Sequence, residues 1–216
     1  PALSTAPIGG TVSPEIALVV TTSGSTGSPK SVALSARALI ANARATHEFI
    51  GAKVGERWSL LLPTSHIAGL NILVRSIELG TVPVTVENTA DYTAIVPTQL
   101  HRALTGDTKL LNHLKGCRTI LVGGAPLSDE LRKLASTKGL NLVTTYGATE
   151  TSGGVVYNGT PLPGVEIRIG ETIEIKGPML ARVDLKDGYF VTSDLGKIED
   201  GKLIVTGRAD DVIISG

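Results

Sequence analysis

Residues 16–30 read IALVVTTSGSTGSPK, a short β-branched apolar run that breaks into glycine, serine, threonine and proline before a lysine. The run 16–22 suits a strand buried on both faces, the pattern of a parallel sheet covered by helices. The segment leaving it suits an anion. Glycines let successive backbone N–H groups turn into one concavity; Ser23, Ser25 and Thr26 add hydroxyl donors, and Lys30 adds a mobile charge. Such a loop fits a polyphosphate. It is not a Walker A loop, because Pro29 rather than glycine precedes Lys30, and the chain has neither a G-x-G dinucleotide fingerprint nor a G-x-S-x-G elbow. A flexible connector is the bland alternative. Two glycines, a proline and a lysine in this order after a buried strand make it the minority reading.

Beyond this stretch, helix and strand patterns alternate. Ser35 is placed to N-cap a helix whose apolar positions Leu39, Ile40, Ala43 and Ile50 keep helical spacing, with Gly51 as its stop. Strands are expected at 58–62, 81–86, 119–122 and 140–145, and helices at 68–79, 97–104 and 128–137. That alternation predicts an α/β fold with a mostly parallel, helix-flanked sheet. After Gly153 the pattern changes: Val165, Ile167 and Ile169 alternate with Glu166 and Arg168, and Asp-Gly pairs at 187–188 and 200–201 signal hairpins. The expected organisation is an α/β unit over 1–153 followed by a small antiparallel β unit over 154–210.

Composition narrows the function classes. The 216 residues suit one large domain or two modest ones and suffice for a core without metal or disulfide staples. Lys and Arg number 20, as do Asp and Glu, so the basic excess of a nucleic-acid binder is missing. Cys117 is the only cysteine, which excludes an internal disulfide and argues for a reducing, cytoplasmic setting. The four histidines are too widely spaced for a His-x-x-x-His metal pair, and no apolar run approaches a membrane span. His47 reads as a core histidine and Cys117 as an inert structural thiol. Oligomeric state is not legible.

TSGSTGSPK resembles the phosphate-binding signature of the adenylate-forming enzymes, a family of acyl-CoA ligases, luciferases and adenylation domains. Further segments resemble that family's signatures in order: Gly123-Gly124-Ala125-Pro126-Leu127 the adenine-side loop, Thr145-Tyr146-Gly147-Ala148-Thr149-Glu150 the Y-G-x-T-E motif, residues 159–164 the turn opening the β unit, residues 192–196 the ribose-binding T-G-D-L-G, and residues 207–211 the hinge motif. The resemblance implies an ATP-dependent acid–thiol ligase: a carboxylic acid and ATP give an acyl-adenylate and pyrophosphate, and coenzyme A then forms the thioester.

Under that resemblance Thr22, Ser23, Gly24, Ser25, Thr26, Gly27 and Lys30 bind phosphates, and Thr149 donates to the α-phosphate as charge builds there. Glu150 holds Mg2+, a hard cation that takes few carboxylates plus phosphate oxygens. Gly124, Ala125, Pro126, Tyr146 and Gly147 border adenine, Asp194 accepts from the ribose hydroxyls, and Arg208 reaches ribose or phosphate. Taken singly, Glu150 and Asp194 would read as a cap and a turn residue, and Tyr146 as core; their joint order overturns this.

The string SHIAGLNILVRSIELG most resembles the branch acting on o-succinylbenzoate in menaquinone synthesis. His66 and Gly69 are then expected at the acyl site. Arg75, two helical turns after Ile67 or Ala68, is placed to meet the benzoate carboxylate that remains charged. The rival placement for Arg75 is the solvent side of its helix. Two departures stand out: Ser31 and Ser193 replace glycines of the family pattern. Residues 211–216 read as a hinge remnant with the family's C-terminal domain absent, so this chain is expected to form thioester poorly. Another aryl or acyl acid as substrate, or a non-catalytic nucleotide-binding module, are the alternatives.

Overall fold

The computed structural model describes residues 3–4, 11–22 and 30–211. Strand β1 (Leu3–Ser4) pairs in parallel with β2 (Ile16–Thr22), and β2 pairs antiparallel with β3 (Lys30–Ser35). The sequence places the first strand in the main parallel sheet, with a helix after the glycine-rich segment. Instead β2 is central in a separate three-stranded sheet, and its successor is β3. KSVALS escapes a strand reading because only Val32 and Leu34 alternate inward, to 2% and 0% exposure. Thr22 and Lys30 are paired across this hairpin.

Helix α1 (Ala36–Ile50) begins and ends as its sequence dictates. The Ser35 hydroxyl accepts from the Ala38 N–H at 3.1 Å, and Gly51 takes the left-handed conformation (φ 66°) while bonding back to the last turn. Strand β4 (Trp58–Ser59) is shorter than expected, and 81–86 forms only a bridge from Val84 to Ser59. Pro83 lies inside that segment and cannot donate to a ladder. Helix α2 (Ile67–Glu78) follows, then β5 (Tyr92–Ile95) and α3 (Pro97–Thr105), whose first residue is a proline and whose Gln99 side chain accepts from the Val96 N–H at 3.1 Å.

Helix α4 (Thr108–Gly116) is absent from the sequence reading, although Asp107 caps it by accepting from the Leu110 N–H at 2.9 Å. Strand β6 (Thr119–Val122), helix α5 (Asp129–Thr137, capped by Ser128) and strand β7 (Leu142–Ala148) come next. The chain then makes a 3-10 turn at Thr149–Thr151 and returns antiparallel as β8 (Gly153–Tyr157) and β9 (Thr160–Pro161). The main sheet has the order β4-β5-β6-β7-β8-β9, parallel through β7.

Period-two alternation sends Tyr92, Ala94, Leu121 and Val143 to one face of this sheet and Ile95, Ile120 and Val122 to the other. The first set packs with Ile72 of α2, and the second with Leu100, Leu110, Leu114 and Ala135 of α3, α4 and α5. Each large side chain buried there contributes about 2 kcal/mol. The small sheet uses Leu18, Val20, Val32 and Leu34 against Leu39, Leu70 and Val74, so α1 and α2 lie between two sheets.

The rest is antiparallel, as expected. Strands β10 (Glu166–Ile169), β11 (Ile173–Lys176) and β12 (Phe190–Val191) form one sheet, and β13 (Asp194–Glu199) pairs with β14 (Lys202–Arg208). Both Asp-Gly pairs turn hairpins with positive φ at each residue. Ile173, Ile175, Met179 and Leu203 join the same apolar cluster as Trp58. No helix among the described residues is long and apolar enough to cross a membrane.

Candidate functional site

A cavity of about 260 Å3 opens at the carboxyl ends of β5, β6 and β7, where open parallel sheets place their ligands. Its walls are mostly small or apolar, with Asn71, Thr145, Thr149 and Tyr157 adding polar atoms. Leu62 and Leu121 contribute apolar surface, while Ala94, Gly123, Gly124 and Gly147 keep the backbone close. Two glycines there are required by geometry. Gly124 has φ 81°, which strains any side chain. Gly153 has φ 99°, and a Cβ on it would sit 2.3 Å from Asn71 Nδ2, which donates to the Ser152 carbonyl at 2.8 Å.

Arg75 reaches this cavity from α2 and is 3% exposed. The solvent-side alternative for it is therefore removed. Its Nη2 donates to Tyr157 Oη at 3.1 Å, Thr46 Oγ1 at 3.3 Å and Asn42 Oδ1 at 3.4 Å. The guanidinium carbon lies 5.0 Å from the centre of the Trp58 ring. Its buried Nε has no hydrogen-bond partner, and no carboxylate among the described residues pairs with it. His47 stands behind it as a core histidine: Nε2 accepts from Trp58 Nε1 at 3.3 Å, and burial, helped by the Arg75 charge, lowers its pKa to about 4. An imidazole is thus kept neutral beside a cation.

Thr149, opening the 3-10 turn after β7, also lines the cavity, together with Gly124 and Gly147. The adjacent Glu150 side chain is 16% exposed, and its Oε1 lies 3.8 Å from Lys30 Nζ on β3. Thr22 donates through Oγ1 to the Lys30 carbonyl at 3.3 Å, closing the hairpin at the base of the glycine-rich segment. Ser23, Gly24, Ser25, Thr26 and Gly27 lie outside the described residues. Among those described, no three His, Cys, Asp or Glu side chains gather as a metal cage. A lone carboxylate is the donor set of a Mg2+ ion that brings phosphate oxygens with it.

A second polar cluster ties β7 to β13 and β14. The Tyr146 hydroxyl donates to Asp194 Oδ2 at 2.8 Å, and Arg208 Nη1 approaches Asp194 Oδ1 at 3.4 Å. Arg208 Nη2 also pairs with Asp210 at 3.0 Å. Burial pushes the Tyr146 phenol well above its ordinary pKa, so it stays a donor. Ala125 and Pro126 are exposed on the loop after β6. His66 is exposed at the start of α2 and does not line the cavity, although its successors Ile67 and Ala68 do. Gly69 is buried but faces the chain: a Cβ there would meet the Pro63 carbonyl oxygen at 2.2 Å.

Asn42, Thr46, Asn71, Gly153 and Tyr157 are the cavity and network residues that sequence reasoning missed. Asn42 and Thr46 fall on the inward face of α1, four residues apart, and this polar pair on an apolar face was the available signal. Cys117 is buried with its thiol pushed up to about 12, the inert group expected.

The AMP-binding enzyme family matches residues 10–186. A probable 2-succinylbenzoate–CoA ligase of Mycobacterium tuberculosis is 39% identical over 97% of this chain, which spans 62% of that relative's length. Among solved structures, a point variant of Escherichia coli MenE with bound OSB-AMS superposes with a TM-score of 0.82 at 25% identity, over 94% of this chain and 51% of the other. O-succinylbenzoate coenzyme A synthetase (MenE) of Bacillus subtilis, in complex with ATP and a magnesium ion, superposes at 0.81 and 26% identity, over 93% and 52%. With most of its length matched, this chain belongs to the AMP-binding enzyme family.

Proposed function

We propose that this chain is the nucleotide- and acyl-binding body of an ATP-dependent acid–CoA ligase acting on o-succinylbenzoate. The observation that carries the reading is Arg75: a buried guanidinium in a glycine-walled cavity that holds no other charged side chain, with neutral partners only among the described residues. A site of this kind recognises an anion that arrives with the ligand. In o-succinylbenzoate the succinyl carboxylate is the one activated, and the ring carboxylate supplies that anion.

The other roles follow the same axis. Thr149 donates to the α-phosphate, and Glu150 holds Mg2+, which neutralises phosphate charge. Thr22, residues 23–27 and Lys30 embrace the outer phosphates, with Lys30 exchanging its Glu150 contact for them. Gly124, Ala125, Pro126 and Gly147 border adenine with the Tyr146 ring, Asp194 takes the ribose hydroxyls, and Arg208 steadies ribose or phosphate. His66 and Gly69 act at the rim and in the packing of α2. Coenzyme A is the thiol acceptor, and the setting is cytoplasmic, with neither nucleic acid nor membrane as partner. Residues 1–153 and 154–210 act as body and β subdomain, with β8 and β9 completing the body's main sheet, and 211–216 belong to a hinge.

Calorimetry tests the proposal directly. The chain is expected to bind ATP with Mg2+, and to bind o-succinylbenzoyl-sulfamoyl adenosine more tightly. Binding of neither ends the reading; equal binding of other acyl-sulfamoyl adenosines moves it to another acid.

A further inference from the structure

We infer that Asn42, Thr46 and Tyr157 form a neutral cradle that positions Arg75 and leaves its charge unspent, making them specificity-determining positioning residues for a ligand with a second carboxylate. The inference rests on the functional reading above and adds to it the residues that make Arg75 selective.

The geometry is lopsided in a telling way. A guanidinium has five N–H donors, and every hydrogen bond Arg75 makes through its side chain leaves from Nη2. Its three acceptors are an amide, a hydroxyl and a phenol. Thr46 Oγ1 and Tyr157 Oη are themselves 3.0 Å apart, and Asn42 Nδ2 donates to the Gly154 carbonyl at 2.9 Å. The cradle therefore links α1, α2 and β8 and fixes one edge of the guanidinium against them. Nε, which shares that edge with Nη2, is buried and has no partner among the described residues.

The nearest acidic side chain along α2 is spoken for. Glu78 is held by Arg44 Nε at 2.6 Å rather than by Arg75. A carboxylate in place of Asn42 would hold Arg75 as firmly and cancel the charge in doing so. Neutral acceptors orient the cation without neutralising it. That is the condition for a buried arginine to distinguish a carboxylate from a hydrogen atom on the ligand's ring.

The test compares two probes by calorimetry on the whole chain: o-succinylbenzoyl-sulfamoyl adenosine and its counterpart made from 4-oxo-4-phenylbutanoate, which lacks the ring carboxylate. Wild type is expected to favour the first at least tenfold. Asn42→Asp is expected to erase most of that preference by pairing with Arg75, and Tyr157→Phe to cut it about fivefold by freeing the guanidinium. Thermal melts accompany each variant, and Tyr157→Phe keeps the ring and its packing should the aspartate disturb the Gly154 contact. A preference that survives in both folded variants overturns the inference while leaving the functional reading intact. A wild-type preference near one overturns both.

Discussion

The two polar clusters of this molecule handle charge in opposite ways. At the cavity, Arg75 is buried, alone and surrounded by neutral acceptors. At the rim, Lys30 meets Glu150, and Arg208 meets Asp194 and Asp210, with most of these groups partly open to water. A ligand entering the cavity completes a charge that the protein left open. A ligand reaching the rim only exchanges one set of partners for another. The cavity should therefore dominate selectivity, and each rim residue should contribute modestly.

Arg75→Met puts the greatest strain on this contrast. Removing the guanidinium is expected to cost about 100-fold in affinity for o-succinylbenzoyl-sulfamoyl adenosine, on the order of 3 kcal/mol. The same change should move the Tm of the unliganded protein only slightly, because relief of a buried charge without a counter-ion offsets the loss of its bond to Asn42. Calorimetry and a thermal melt read the two effects separately. A variant that loses stability and keeps affinity would show Arg75 to be structural.

This contrast was only half legible in the sequence. Arg75 was in view because it sits in a contiguous string that resembles the o-succinylbenzoate branch, as the motifs after β7 are contiguous strings, while its helical spacing alone left both pocket and solvent open. Its cradle was not, since Asn42 and Tyr157 lie 33 and 82 residues away and meet Arg75 only through packing. The fold divides in the same way. Helix α1 was bounded by its own cap and stop, Ser35 and Gly51, and 119–122 by an unbroken apolar run. Helix α4 was lost because only Leu110 and Leu114 among its nine residues are buried, too few to show a period. Segment 81–86 has the β-branched composition of a strand, but Pro83 allows it a single bridge.

His47 sharpens the comparison from the cavity side. Held down to about 4 by burial and by Arg75, it stays unprotonated while the unfolded chain takes up a proton below about 6.5. The stability this neutrality gives is fully present above pH 6.5 and declines as pH falls towards 4. The loss is on the order of 2 kcal/mol, allowing for solvent screening. Urea midpoints at pH 7, 5.5 and 4 should show the decline in wild type and a shallower one in His47→Gln, whose amide oxygen can still accept from Trp58. Equal slopes would mean that burial and the neighbouring cation do not hold the His47 imidazole neutral.

At the rim the expected changes shrink. Asp194→Asn keeps an acceptor for Tyr146 but removes the charge facing Arg208, so ATP affinity should fall about tenfold. The melt should move little, because the Arg208 pair is partly open to water and the asparagine still accepts from Tyr146. An affinity left untouched would detach this cluster from the nucleotide.

The Lys30–Glu150 pair should matter least to the fold. Lys30 is 61% exposed, and its ammonium lies 3.8 Å from the carboxylate, so the pair contributes at most about 0.5 kcal/mol. Glu150→Gln should therefore melt like wild type. Its effect belongs to the metal: the gain in ATP affinity on adding Mg2+ should fall about fivefold, with metal-free binding unchanged or slightly improved as one negative charge leaves the phosphates. If Mg2+ dependence persisted in full, the cation would be carried by the nucleotide alone. Glu150 would then be a surface partner of Lys30, and the rim would exchange charges only within the protein.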